Sequence, residues 1–329
     1  MSSTLATAAP APRAALSIKH LPINLFAAVM GLAGLSIAWR MVQAQYGFGG
    51  PLAAFSGGLA VVAFVAMALG YLVKALRYPA VVRAEFVHPI TRSFFGTISI
   101  SLLLLSAVVR PYDERLGLAV WTLGCAVTLG LAYIVFGRLL RGEADPAHAV
   151  PAWLIPGVAT LDIAVTGGHM PMAWAGELVL FATAIGAVLA LVMFTMIGTR
   201  LIQHVPLSVV MTPSLMILVA PFEVGFLAYV NVVGEVDRFA GMLFYFGLFV
   251  FVVVAPKVFR SHVRFGPTWW AIGFPLAALV NAALRYAAVH PSWPLQWLAG
   301  ALLVFLTVAL AALTVRTVHI LCNGRLLSA

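Results

Sequence analysis

Charged side chains are scarce in this chain: Asp, Glu, Lys and Arg make up 9% of its 329 residues. Soluble domains carry about a quarter, so a water-soluble globule is excluded. Cysteine is nearly absent as well. Cys125 falls inside an apolar stretch and Cys322 close to the C-terminus, in no metal or redox spacing, and neither is assigned chemistry. Walker loops, zinc motifs and nucleophile elbows are missing. The net charge is +9, yet the basic residues are scattered between apolar segments instead of gathering on one face as a nucleic-acid binder requires.

What the chain has in abundance is apolar side chains, 63% of the total, with a mean hydropathy of +1.06. Strands of a transmembrane barrel alternate apolar and polar residues, whereas Ala187 to Phe194 and Leu248 to Ala255 are unbroken apolar runs. The sequence therefore predicts an all-α integral membrane protein. Reading apolar runs between turn and charge signals gives ten spans, each of about 20 residues. They are Leu21 to Met41, Ala53 to Leu76, Ser93 to Val109, Leu116 to Leu139, Val150 to Thr166, Ala173 to Met196, Leu207 to Val230, Phe239 to Val258, Trp269 to Val289 and Leu295 to Val318. Residues 1–20, rich in Ala, Ser and Pro, read as a mobile cytoplasmic tail, 21–320 as one transmembrane domain and 321–329 as a short cytoplasmic tail. The apolar run from Leu21 is too long for a signal peptide.

Lys and Arg are enriched in cytoplasmic loops. With ten spans, fourteen of them fall on the side of the termini, counting Lys74 in the loop after span two, and five on the other: Arg40, Arg110, Arg115, Arg238 and Arg285. Both termini are thus expected in the cytoplasm, and the eight Trp residues all fall near span ends, as an interfacial belt predicts. Odd spans carry proline at their inner ends or within them, at Pro22, Pro89, Pro156, Pro213, Pro221 and Pro275. Proline removes a helix hydrogen bond and bends the axis, and the freed backbone groups are tolerated at membrane depth only against protein or a water-filled cavity. Odd spans are accordingly expected inside. Their starts are 72, 57, 57 and 62 residues apart, one helical hairpin each, which suggests five hairpins in a quasi-fivefold ring around a central pore. A compact bundle without an opening is the other arrangement that this periodicity allows.

Several segments carry a resemblance that covers nearly the whole chain from Leu21. They are LPINLFAAVMGLAGLSIAW in span one, VRAEFVHPITRSFF before span three, TPSLMILVAPFEVG in span seven, the following NVVGEVDRFA, and WWAIGFPLAAL in span nine. In order and spacing the set resembles the tellurite-resistance and dicarboxylate transporter family, which includes bacterial TehA-type proteins and the slow-type anion channels of plant guard cells. The resemblance implies ten helices in five hairpins around a pore, a homotrimer with one pore per subunit, and a span-nine phenylalanine, here Phe274, that obstructs the pore. Gly273, Phe222 and Glu223 depart from the family pattern, which bears on selectivity.

The residues can also be weighed by themselves. At 100° per residue Phe274, Ala278, Asn281 and Arg285 share one helix face. That stripe reads as an apolar constriction opening toward a polar mouth; the alternative is that Phe274 is packing filler. Gly273 leaves the ring uncrowded and Pro275 interrupts the ladder beside it. Arg285 either snorkels to the outer leaflet or attracts anions. With few buried cations, permeation would rest on weak coordination by Ser, Thr and Asn groups, favouring large monovalent anions such as nitrate.

Asp162, about 18 Å into span five at 1.5 Å per residue, is an intramembrane acid and so a functional candidate. It is either protonated and hydrogen-bonded between helices or a proton carrier. Glu223 lies at a depth from which it could pair with Arg285. Glu177 reaches the outer interface. His88 with Pro89 either organises the cytoplasmic mouth or simply starts span three. The eight histidines sit mostly at span ends, without the facing pairs of a haem protein, so no metal and no cofactor is expected.

These readings converge on a gated channel for small monovalent anions such as chloride and nitrate, occluded at Phe274, in a bacterial inner membrane. One alternative is a proton-coupled carrier of C4-dicarboxylates such as malate, of tellurite or of sulfite on the same scaffold, with Asp162 or Glu223 as proton site. A more distant one is a membrane haem or redox enzyme.

Overall fold

A computed structural model describes residues 17–142, 145, 148–203, 206–260 and 262–327. Most of the N-terminal tail, with Arg13, and His204 lie outside the described residues. Eleven α-helices account for nearly all of the described chain. In order they are α1 (Ala27–Tyr46), α2 (Gly50–Arg77), α3 (Pro79–Val87), α4 (Gly96–Val109), α5 (Glu114–Leu140) and α6 (Leu154–Gly167), then α7 (Ala175–Gln203), α8 (Ala220–Val233), α9 (Arg238–Phe259), α10 (Gly273–Val289) and α11 (Trp293–Cys322). Nine helical segments among them are long and apolar enough to cross a membrane, and Pro151–Gly167 is an apolar but shorter helix. Each expected span overlaps one observed helix, while α3 has no counterpart among them.

The helices divide into two classes by burial. In the four long segments that end in α1, α4, α8 and α10, 61% to 83% of the apolar stretch is buried, against 28% to 33% in α2, α5, α7, α9 and α11. Helix α6 belongs to the first class, for all but one of its residues are buried. Side-chain size explains part of the difference. Gly31 and Gly34 of α1 let α10 approach so closely that a Cβ at Gly34 would sit 2.6 Å from the Cβ of Ala277, and one at Gly31 3.3 Å from Gly273. Each buried helix packs against the next, α1 on α4, α4 on α6, α6 on α8, α8 on α10 and α10 back on α1. Each is also paired with the helix that follows it as a long hairpin partner.

All five buried helices begin in 3-10 geometry, at Ile23–Phe26, Thr91–Phe95, Pro151–Trp153, Val209–Val219 and Pro267–Ile272. The prolines explain where these segments lie. Pro22 precedes the first and Pro89 lies two residues ahead of the second; Pro213 is inside the fourth. Pro156, Pro221 and Pro275 occupy the first turn of α6, α8 and α10, where an N–H is not needed by the helix. The sequence-based picture of kinks within the odd helices becomes a set of 3-10 to α junctions near one end of each.

That end also holds both described chain ends, since the Ser17 N–H donates to the Leu327 carbonyl at 3.1 Å. Beside it α3 is tied down by Lys74 of α2. The Lys74 ammonium is wholly buried and donates to the Leu21 carbonyl at 2.8 Å and to Glu85 Oε1 at 2.6 Å, and the Tyr71 hydroxyl donates to Glu85 Oε2 at 2.7 Å. Lys74 is therefore a core residue, which corrects its reading as a loop charge. At the opposite end Arg40 donates to the Ala107 and Val108 carbonyls at 3.0 and 3.2 Å, satisfying the last turn of α4 as a cation at a helix C-terminus should. Two of the eight tryptophans also depart from the belt: Trp121 and Trp270 are fully buried.

Candidate functional site

Between the five buried helices lie two cavities in line. The distal one, toward the helix C-termini, has a volume of about 100 Å³ and is lined from every buried helix: Gly34 of α1, Leu104 of α4, Asp162 of α6, Asn231 of α8 and Asn281 of α10 among others. The proximal one, at the 3-10 junctions, measures about 20 Å³ and is lined by residues including Met30, Thr97, Ile155, Ile217 and Trp270. A water needs roughly 10 to 15 Å³ of such space, so the distal cavity has room for several and the proximal one for about one. Phe274 is the only described residue that lines both cavities. It is 8% exposed.

Of α10, Phe274, Ala278, Asn281 and Arg285 all line the distal cavity, together with Ala277. A Cβ at Gly273 would lie 3.2 Å from Leu310 Cδ2 and 3.4 Å from Gly31. Its missing side chain allows α1 and α10 to cross closely beside Phe274. Pro275 lines the proximal cavity at the 3-10 to α junction.

Polar groups in the distal cavity are few, and their hydrogen bonds decide what they offer a solute. The Asn281 amide nitrogen donates to Gly34 O at 3.0 Å and Ala277 O at 2.7 Å; that of Asn231 donates to Ala164 O at 3.0 Å and Val165 O at 2.9 Å. Both N–H bonds of each amide are thus engaged, and Asn281 Oδ1 is left without a donor. Asn231 was not singled out in the sequence reading; it lies one residue past the expected end of span seven and opens the NVVGEVDRFA segment.

Serine and threonine do not contribute as expected. Ser99, Ser101, Ser106, Thr160 and Ser214 donate their single hydroxyl proton to carbonyls three or four residues back on their own segments, and none of them lines either cavity. Thr97, on the proximal cavity, does the same toward Phe94 at 2.5 Å.

The two intramembrane acids are separated by the fold. Asp162 faces the distal cavity, is 1% exposed, and its Oδ2 has no hydrogen-bond partner. Glu223 points away from the cavity to Gly247 of α9, where a Cβ would collide with its carboxyl group. Both Glu223 oxygens lack a partner, so the expected pairing with Arg285 is not made: α8 presents Val224 and Leu227 to the cavity, and Glu223 turns to the hairpin side. Arg285 is half-buried on the cavity wall and forms no ion pair among the described residues. Glu177 is exposed in the first turn of α7, a favourable place for an acid. His88 lines neither cavity; its Nδ1 accepts from the N–H groups of Ile90 and Thr91 at 3.3 and 3.2 Å and so caps the 3-10 start of the α4 segment. No group of three or more metal-ligating side chains occurs among the described residues.

Comparison with known proteins gives a consistent picture. The family model described as voltage-dependent anion channel, SLAC1, matches residues 20–318. The tellurite resistance protein TehA homolog of Haemophilus influenzae is 26% identical over 93% of this chain and 92% of its own length. The S-type anion channel SLAH3 of Arabidopsis thaliana is 26% identical over 90% of this chain, and the guard cell S-type anion channel SLAC1 of the same plant 23% identical over 90%. The chain spans about half of these plant channels, 48% and 55% of their lengths.

Proposed function

Because the chain belongs to the SLAC1 family of anion channels, a family of membrane transport proteins and not of enzymes, we propose that it is a gated channel for small monovalent anions with Phe274 as its gate. In this reading ten spans form five hairpins in a quasi-fivefold ring, with Pro151–Gly167 as the fifth span and the two cavities as segments of one axial path. The observation that carries it is that Phe274, alone among the described residues, lines both cavities. An apolar ring across a narrow path excludes water and ions by dewetting, and its displacement opens the path. Arg285 at the distal mouth and the net positive charge draw anions in. The amide donors are engaged, so binding inside is weak, and selectivity follows dehydration cost, with nitrate ahead of chloride.

A bacterial inner membrane with both termini cytoplasmic and a homotrimer with one pore per subunit complete the proposal; the match to the Haemophilus protein and the common end of Ser17 and Leu327 support it. The test is anion current across a bilayer for the parent protein and Phe274→Ala. A small parent current and an increase of about tenfold or more in the variant are expected for a hydrophobic gate; silence of both proteins overturns the channel. A second reading, a proton-coupled carrier of C4-dicarboxylates, tellurite or sulfite, is favoured by one observation, the unpartnered Asp162 on the path. Saturable uptake that collapses when the proton gradient is dissipated distinguishes it.

A further inference from the structure

We propose that Asp162 is a proton-operated selector on this path: the anion occupies the distal cavity when Asp162 carries a proton on Oδ2, and is turned away when it does not. The inference rests on the channel reading above and specifies its regulation. Its basis is the donor and acceptor inventory of the cavity. Ile155 and Phe274 both line the proximal cavity, and Asp162 and Asn281 each lie seven residues further along their helices, about 10 Å at 1.5 Å per residue. Asp162 and Asn281 both line the distal cavity, at a comparable height above the 3-10 junctions by this count.

At that level the wall offers acceptors. Asn281 Oδ1 and Asp162 Oδ2 lack hydrogen-bond partners, while the amide protons of Asn231 and Asn281 are engaged by backbone carbonyls. An ionised carboxyl group accepts only, and a protonated one gains an O–H donor. Binding one proton at Asp162 thus removes a like charge beside the anion and supplies a donor at the level where the amides supply none. Ionised, the same group cancels the charge of Arg285, the one guanidinium on the cavity wall.

Among the described residues, Arg285 is the only other ionisable side chain on the wall of this cavity. Helix α4 contains none, and the part of α1 on the cavity is Gly34, Ile37 and Met41. On the far side of α6, helix α7 carries only Glu177 and Arg200, near its ends, and α5 carries Cys125 at its middle with Glu114, Arg115, Tyr133 and Arg138 toward its ends. In α8, Glu223 faces Gly247, and Tyr229 donates to Asp237 at 2.7 Å.

The test uses the Phe274→Ala protein, in which the gate is open, with current recorded at about pH 5 and about pH 8. An increase of about tenfold on acidification is expected, from the loss of a buried like charge next to the ion. Adding Asp162→Asn supplies permanent N–H donors without charge and is expected to give high current at both values. Adding Asp162→Val removes charge and donor together and is expected to give a lower, pH-independent current. If Phe274→Ala conducts equally at both values, or if Asp162→Asn retains the acid response, the inference is overturned while the channel stands. If no variant conducts at either value, both fall.

Discussion

The inner and outer helices of this protein are built from the same apolar alphabet, and they differ in what their small residues and prolines do. An outer helix such as α2 or α11 runs unbroken for 28 or 30 residues and exposes large side chains such as Leu69 or Val308. An inner helix is shorter, starts in 3-10 geometry and buries most of its residues. Lipid tails are as apolar as leucine, so helix association in a membrane depends on close van der Waals contact and small interfacial residues rather than on hydrophobicity. The four long inner segments are accordingly the less apolar class, and their glycines and prolines mark them further.

Substitutions test that contrast, and the largest effect is expected where an outer helix breaks the pattern. Lys74 of α2 is wholly buried, and Lys74→Ala leaves Glu85 and the Leu21 carbonyl without their partner. Loss of one member of a buried ion pair costs about 3 to 5 kcal/mol. Thermal denaturation in detergent reads it, and the double variant with Glu85→Ala is expected to recover part of the loss. An unchanged midpoint would show that α3 is not held by this pair.

Next comes Gly34→Ala, whose new methyl group meets Ala277 Cβ at 2.6 Å; overpacking of this kind costs about 1 to 3 kcal/mol, with relief expected from Ala277→Gly. Neighbouring glycines of α2 sharpen the point further. A Cβ at Gly57 lies 2.7 Å from Ser36 Oγ, whereas one at Gly58 meets nothing within 4 Å. Gly57→Ala is expected to destabilise, and Gly58→Ala to stabilise by roughly 0.5 to 1 kcal/mol through helix propensity. Equal effects at the two positions would remove the inner and outer distinction.

The smallest effect belongs to the loop before α9. The Ala240 N–H and the Tyr229 hydroxyl donate to Asp237 at 2.8 and 2.7 Å, and these bonds hold its carboxyl group below the usual carboxylate range. A lowered folded value means that this contribution is complete above the ordinary carboxylate pKa and is lost as pH falls through the folded one. A small drop in melting temperature on acidification is therefore expected, and Asp237→Asn should abolish that increment.

Much of the fold was legible in the sequence. The ten apolar runs, their turns and the prolines at Pro156, Pro213 and Pro221 are local signals, and the stripe from Phe274 to Arg285 follows from helical periodicity alone. The burial of Lys74 was not legible, because a lysine three residues before a helix end looks like any interfacial charge until Glu85 and the Leu21 carbonyl are brought to it. Glu223 and Asp162 read alike in the sequence, as acids in apolar runs. Only the rotation of their helices sends one toward Gly247 and the other toward the cavity.

The sequence by itself determined that this chain lives in a membrane, roughly where its apolar spans lie, and which family it resembles, since these depend on hydropathy, turn chemistry and ordered motifs along the chain. Tertiary structure decided which helix faces meet and which polar groups remain open. The Asn281 amide donates to Gly34, 247 residues away, and no local pattern encodes that contact. It exists because two small-residue surfaces pack closely enough to place donor against acceptor, while the fold sets Asp162 on the wall of the distal cavity.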